Sequence, residues 1–259
     1  MIYNLSNIDA NPPIGVDETT TRLATKQQIQ KLGELQHLLY AEGKRSVLVI
    51  LQGMDASGKD GAIRNVFSKC NLSGTQVVSF GKPSDQEQDH DFLWRVHRKT
   101  PGRGHIVIFN RSHYEDILVQ RVHKTIDMKR VGQRMDAINA FEHLLEFDSD
   151  TLVLKFFLHI SSDEQQNQLK KRLTDPKKFW KHNDADWVER ELWDDYMKCY
   201  EYVLGESRIP WIICPANNRW YRDHVISSAI VKAMGKLKMR LPKPNQIPLK
   251  IDKEIGKSG

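Results

Sequence analysis

The chain has 259 residues, 39% hydrophobic and 28% charged side chains, a net charge of +6 and a pI near 9.1. That composition excludes a disordered, collagen-like or coiled-coil protein, and the length suits one large α/β domain. The basic balance favours a polyanionic partner: nucleotide, nucleic acid, membrane surface or another phosphate-rich ligand.

Residues 1 to 24 are polar, contain Pro12 and Pro13, and read as an irregular N-terminal arm. No basic stretch followed by an apolar core marks a secretory signal there. The three cysteines, Cys70, Cys199 and Cys214, show no paired spacing. This argues against disulfides and zinc and for a reducing, cytoplasmic setting. Ile29, Leu32, Leu35, Leu38 and Leu39 recur at helical spacing and predict a helix over 26–41. The β-branched run SVLVILQ then predicts a buried strand leading directly into GMDASGKDG.

Gly53, Gly58 and Lys59 in that stretch have the spacing Gly-x-x-x-x-Gly-Lys of a phosphate-binding loop. By composition the pattern arises by chance in about 7% of chains this long, and a strand before plus a helix after lowers this to roughly 1%. Such a loop lets backbone N–H groups, here those of Gly53, Met54, Ala56, Ser57, Gly58 and Gly61, converge on phosphate oxygens, while Lys59 adds a point charge. The Ser or Thr expected after the lysine, whose hydroxyl would sit on magnesium, is replaced by Asp60. Asp60 is either a metal-site group or a carboxylate placed for the helix dipole or a nearby arginine. Asp55, facing a polyanion from inside the loop, is expected to act through magnesium or beside the phosphoryl acceptor.

A helix over 58–69 follows, then a strand at TQVVSF (75–80), a helix over 90–99 and a buried strand at HIVIFN (105–110). A phosphate-loop enzyme commonly has an Asp at the end of that last strand to hold magnesium. Here the position is Asn110, followed by Arg111, with Glu115 and Asp116 opening the next helix. Asp55 and Glu115 are therefore the metal-site candidates, and Arg111 a phosphate-bridging candidate in the crevice at the carboxyl ends of the strands.

Further elements are a helix over 128–147, a strand at TLVLKFFLHI, helices over 161–173 and 187–204, a strand within PWIICPA and a helix over 221–236. Strands alternating with helices predict a parallel sheet covered on both faces in one domain, 25–240, followed by a mobile tail, 241–259. Residues 169–187 carry Lys170, Lys171, Arg172, Lys177, Lys178 and Lys181 and read as a lid, with Arg172 placed to stabilise a transferring phosphoryl group. Other basic residues, Lys82 and Lys124 among them, exceed what one nucleotide needs and suit a long linear polyanion. No RNA-recognition aromatic motif, helix-turn-helix signature or zinc knuckle supports nucleic acid as that polyanion.

Taken together, GMDASGKDG, FNRSHYED and KRLTDPKKFWK resemble the polyphosphate kinase 2 family, with SF-x-x-P, FLWR, WDDY and PWIICPANNRWYR in support. The resemblance implies a P-loop kinase-like three-layer α/β sandwich under a helical lid. It implies reversible phosphoryl transfer between inorganic polyphosphate and AMP, ADP or ATP, with guanine and other nucleotides as further acceptors. It also implies magnesium, or manganese in its place, and assembly into homo-oligomers. Asn110, where many members have Asp, resembles the branch called class III, in which Glu115 makes up the charge and both mono- and diphosphates are accepted. Arg172 matches the lid arginine. Two other classes remain: an ATP-dependent phosphate-loop kinase, and a non-catalytic polyanion or nucleic-acid binder. The missing loop hydroxyl counts against the first and the carboxylates in the cradle against the second.

Overall fold

A computed structural model describes residues 3–243. Five parallel strands, β1 (Ser46–Gln52), β2 (Thr75–Ser79), β3 (Ile106–Asn110), β4 (Thr151–His159) and β5 (Trp211–Pro215), form one sheet in the order β2-β3-β1-β4-β5. The central strand β1 is buried along its whole length, as a strand covered on both faces must be. Leu48 and Ile50 point into one core and Val47, Val49 and Leu51 into the other. The edge strand β2, by contrast, leaves Gln76, Val77 and Ser79 exposed.

Among the described residues there are ten α-helices: α1 (Glu18–Glu42), α2 (Lys59–Val66), α3 (Asp85–Gln88), α4 (Trp94–His97), α5 (Glu115–Val122), α6 (Met128–Ser149), α7 (Ser162–Thr174), α8 (Ala185–Glu191), α9 (Trp193–Glu206) and α10 (Arg219–Gly235). On one face α5, α6 and α9 bury Ile117, Ile138, Phe141 and Val203 against β1, β3 and β4. On the other, α1, α2 and α10 bury Leu32, Leu39, Val66 and Ile230. The result is a three-layer α/β sandwich. Because β1 and β3 are neighbouring parallel strands, the β1-to-α2 loop and the β3-to-α5 connection lie side by side at the carboxyl edge, where ligands of open α/β sheets bind.

Three expected boundaries differ. The N-terminal arm is not irregular to residue 24: α1 begins at Glu18, capped by Asp17 Oδ1 accepting from the Thr20 amide at 2.8 Å. Its first buried positions are Thr21 and Thr25, whose hydroxyls bond back one turn, so an apolar periodicity could not reveal them. Further upstream, Leu5 is buried in the core and its amide donates to Glu201. The helix expected over 90–99 is the single turn α4, because the Asp91 carboxylate accepts from the Leu93 amide and holds a turn before it. The helix expected over 187–204 is two, broken at Leu192. Arg190 ties the first to Ser162 and Gln165, whereas Tyr196, Cys199 and Tyr200 tie the second to the core. Residues 244–259, which hold most of the tail expected to be mobile, lie outside the described residues.

Candidate active site

The loop between β1 and α2 owes its shape to two glycines. Gly53 has φ 153° and Gly58, the residue before α2, has φ 91°. A Cβ at Gly53 would stand 2.6 Å from the Leu158 carbonyl oxygen, and one at Gly58 would stand 2.3 Å from Arg222 Nη1. Only glycine fits at either position. Ala56, at φ 66°, adds a further left-handed step, and the amides between Met54 and Gly61 wrap the start of α2.

Arg222, from α10, lies under this loop and is almost wholly buried. Its Nη1 donates to the Gly58 carbonyl at 3.1 Å, while Nε and Nη2 donate to Asp223 at 2.9 and 2.6 Å. Asn65 completes the cluster by donating to Asp223 at 2.9 Å. Motif reading placed Arg222 in a family-like stretch without assigning it this supporting role.

Lys59 is buried, and its ammonium donates to the loop carbonyls of Gly53 at 2.7 Å and Met54 at 3.1 Å. Burial lowers its pKa, against the opposing pull of Asp55. Asp55 is paired with Arg111. Burial works against the Asp55 carboxylate, but Lys59 and Arg111 together outweigh it and hold its pKa below the usual carboxylate range. Arg111 leaves β3 at φ 62°, a left-handed conformation in a non-glycine residue of the kind found at functional sites, and its amide donates to Leu51 on β1. Glu115, half-buried at the start of α5, has its pKa raised by burial, with Arg111 and Lys59 opposing the shift. The loop, the end of β3 and the start of α5 thus bring Asp55, Lys59, Arg111 and Glu115 into one interacting group.

Asp60 does not join them as a free carboxylate. Its Oδ1 accepts from Asn110 Nδ2 at 2.8 Å and its Oδ2 from Lys181 Nζ at 3.2 Å. These two bonds outweigh desolvation and lower its pKa. Its partners are an amide and a lysine rather than the arginine considered from the sequence. Asn110 keeps a second polar atom, Oδ1, that is buried without a partner, as is the hydroxyl of Ser57 inside the loop. The Ser57 hydroxyl could donate to a bound phosphate, whereas Asn110 Oδ1, an acceptor only, could take a hydrogen bond from a water on it.

Residues 169–187 comprise the end of α7, a 3-10 turn over Pro176–Lys181 and the start of α8. Arg172 is paired with Asp186 and also donates to the Lys181 carbonyl at 3.1 Å. Since Lys181 itself reaches Asp60, this segment touches the phosphate loop through a side chain that the sequence placed only among the lid's basic residues.

The chain as a whole has close counterparts among known proteins. A family model described as polyphosphate kinase 2 matches residues 15–242. The chain belongs to the polyphosphate kinase 2 family. It is 48% identical over 225 residues to an AMP/ADP-polyphosphate phosphotransferase of Meiothermus ruber, covering 86% of this chain and 84% of that one. It is 42% identical over 232 residues to an ADP-polyphosphate phosphotransferase of Rhodopseudomonas palustris, covering 84% and 80%. Among solved structures, polyphosphate kinase 2 from Arthrobacter aurescens superimposes with a TM-score of 0.90 at 36% identity, over 94% of this chain and 89% of that one.

Within this polyphosphate kinase 2 fold, two residues singled out from the sequence stand apart. Lys82, past the edge strand β2, and Lys124, at φ 54° in the turn after α5, are both exposed, and neither joins the loop cluster. One residue the sequence did not single out does join it. Gln52, the last residue of β1, is buried, donates to Ser112 Oγ at 3.1 Å and opposes the rise in the Glu115 pKa. Its signal was its place immediately before the first loop glycine. Glutamine in an otherwise apolar strand needs a partner.

Proposed function

We propose that this chain transfers a phosphoryl group reversibly between inorganic polyphosphate and AMP or ADP, with magnesium, in the cytoplasm. The observation that carries the reading is the convergence of Lys59, Arg111, Asp55 and Glu115 at the carboxyl ends of β1 and β3, in a chain of the polyphosphate kinase 2 family. Phosphoryl transfer asks a protein to position the two phosphates in line and to stabilise spread negative charge; it needs no covalent step on the protein. The loop amides and Lys59 would hold one phosphate. Arg111 would bridge donor and acceptor, and Arg172 would add charge from the lid side. Each cation is satisfied internally: Lys59 by loop carbonyls, Arg111 by Asp55, Arg172 by Asp186. Substrate phosphates offer stronger, charge-assisted partners than the carbonyls, and drawing Arg111 from Asp55 would free that carboxylate.

Asp55 and Glu115 are hard oxygen donors of the type magnesium prefers. Among the described residues no group of three or more His, Cys, Asp or Glu side chains is placed to hold an ion unaided. A two-carboxylate set fits magnesium, which commonly shares one or two protein carboxylates with substrate phosphates and water; manganese suits the same oxygen ligands. The ion would neutralise charge on the polyphosphate and on the transferring group. No helix among the described residues is long and apolar enough to cross a membrane. All three cysteines are free, which suits a reducing compartment. Homo-oligomer formation belongs to the same proposal, and light scattering in solution checks it.

The test is a chromatographic assay with protein, magnesium, long-chain polyphosphate and either AMP or ADP, without added ATP. ADP and ATP arising from AMP, and ATP from ADP, are the expected products. Product from ADP alone would confine the acceptor to diphosphates. No product from either, with ATP supporting transfer to another acceptor, would overturn the reading.

A further inference from the structure

Between Arg111 and Glu115 lie Ser112, His113 and Tyr114, and all three are fully buried. The side chains of His113 and Tyr114 belong to a polar cluster inside an apolar core. Glu142, from α6, accepts from Lys155 Nζ at 2.6 Å through Oε2, and from Tyr114 OH at 2.9 Å through Oε1. His113 Nε2 lies 3.3 Å from that same Oε1. Lys155, on β4 beside Ile50 of β1, donates also to Tyr114 OH at 2.7 Å. The Tyr114 and Trp211 rings sit 5.1 and 5.0 Å from the lysine ammonium. Ser112 Oγ accepts from Gln52 Nε2 at 3.1 Å and from the Tyr114 amide at 3.3 Å.

A buried ion pair such as Glu142–Lys155 is a poor device for stability, because apolar residues of similar volume commonly do as well. What it supplies is direction. Three of its members, Glu142, Lys155 and Tyr114, are mutually hydrogen-bonded, and Tyr114 lies one residue from Glu115. Arg111, on the other side, leaves the strand in a left-handed conformation that a loosened segment would not keep. We propose that Glu142, Lys155 and the Tyr114 hydroxyl, with His113, are positioning residues: they clamp the 112–114 segment and so fix where Arg111 and Glu115 meet the transferring phosphoryl group. This rests on the roles given to Arg111 and Glu115 above.

The clamp touches no substrate, so its loss should show in kcat and leave KM nearly unchanged. Replacing both charges together, Glu142→Leu with Lys155→Met, avoids stranding either one in the core. The double variant should fold cooperatively yet lose about tenfold or more in kcat, since misplacing a reacting group by about 1 Å costs up to about 100-fold. KM for ADP and for polyphosphate should stay within about threefold, because the loop amides and Lys59, which hold the bound phosphate, lie outside the clamp. Tyr114→Phe, which keeps the ring and removes only the hydroxyl, should show the same split at smaller amplitude, and it decides the matter if the double variant does not fold. Wild-type kcat in the folded double variant, or in Tyr114→Phe where the double variant does not fold, would overturn the clamp, as would a loss confined to KM. Glu115→Gln and Arg111→Lys are measured alongside. Loss of activity in these with full activity in the clamp variants removes the clamp alone; full activity in both removes the site reading on which it stands.

Discussion

Gly58→Ala and Gly61→Ala add the same methyl group three residues apart, and the structure assigns them opposite outcomes. At Gly58 the new Cβ would lie 2.3 Å from Arg222 Nη1, on a backbone at φ 91°. Left-handed strain for an L-residue costs about 1–2 kcal/mol. Arg222 must also release the Gly58 carbonyl, a bond from a charged donor worth about 1.5–3 kcal/mol. The sum is a loss of about 2.5–5 kcal/mol, or about 5–10 °C in Tm at about 2 °C per kcal/mol for a chain of this size. At Gly61, inside α2, the Cβ would meet Arg222 Nη2 at 3.5 Å, an ordinary contact. Alanine there should be neutral or stabilising by up to about 1 kcal/mol. The assay is thermal unfolding of both variants together with KM for polyphosphate. Gly58→Ala should raise that KM as well, because the amides after it shift, whereas Gly61→Ala should not. Equal Tm values for the two variants, or a Gly58→Ala protein with wild-type KM, would refute the account of Arg222 as the support of the cradle.

Two other predictions concern side chains away from the transferring phosphate. In the Asp60–Lys181 pair the carboxylate is exposed and the lysine partly so, and a double-mutant cycle with Asp60→Asn and Lys181→Met should give a coupling of about 0.2–1 kcal/mol, and the magnesium concentration for half-maximal rate should not move; a large shift in magnesium dependence would make Asp60 a metal-site residue. His159, at the end of β4, is held mainly neutral: burial lowers its pKa below 6.5, against the Ile8 carbonyl and Asp9, which oppose the shift. The unfolded chain takes up its proton first as pH falls through about 6.5. The neutral histidine therefore stabilises the fold above that pH, and the benefit declines below it. His159→Gln should flatten the Tm profile on the acid side, and an unchanged profile would show that other groups set it.

Most of the fold was legible because strand burial and strand–helix alternation are carried by apolar residues that recur at fixed intervals, as in SVLVILQ and HIVIFN. The loop was legible for a different reason: its glycines are demanded locally, by φ and by close approach, so they survive as a spacing. What escaped were polar residues whose partners lie far along the chain. Gln52 meets Ser112 sixty residues on, and Arg222 meets Gly58 across 164 residues. Thr21 and Thr25, buried but polar, hid the first turns of α1.

Asp60 shows how the two kinds of information combine. From sequence it is an anomaly, a carboxylate where a hydroxyl should hold magnesium. In the structure it accepts one hydrogen bond from Asn110 and one from Lys181, so one residue ties the start of α2 to the end of β3 and to the basic segment after α7. A serine hydroxyl at position 60 could not accept from both with a full negative charge behind it. An Asp at position 110 would face Asp60 at hydrogen-bonding distance with no proton to share, and the two carboxylates would repel unless a cation came between them. The two departures from the common pattern, Asp60 and Asn110, are therefore one compensated pair. That pairing is consistent with the proposed assignment of magnesium to Asp55 and Glu115, because Asn110 brings no charge and the Asp60 carboxylate is engaged by Lys181.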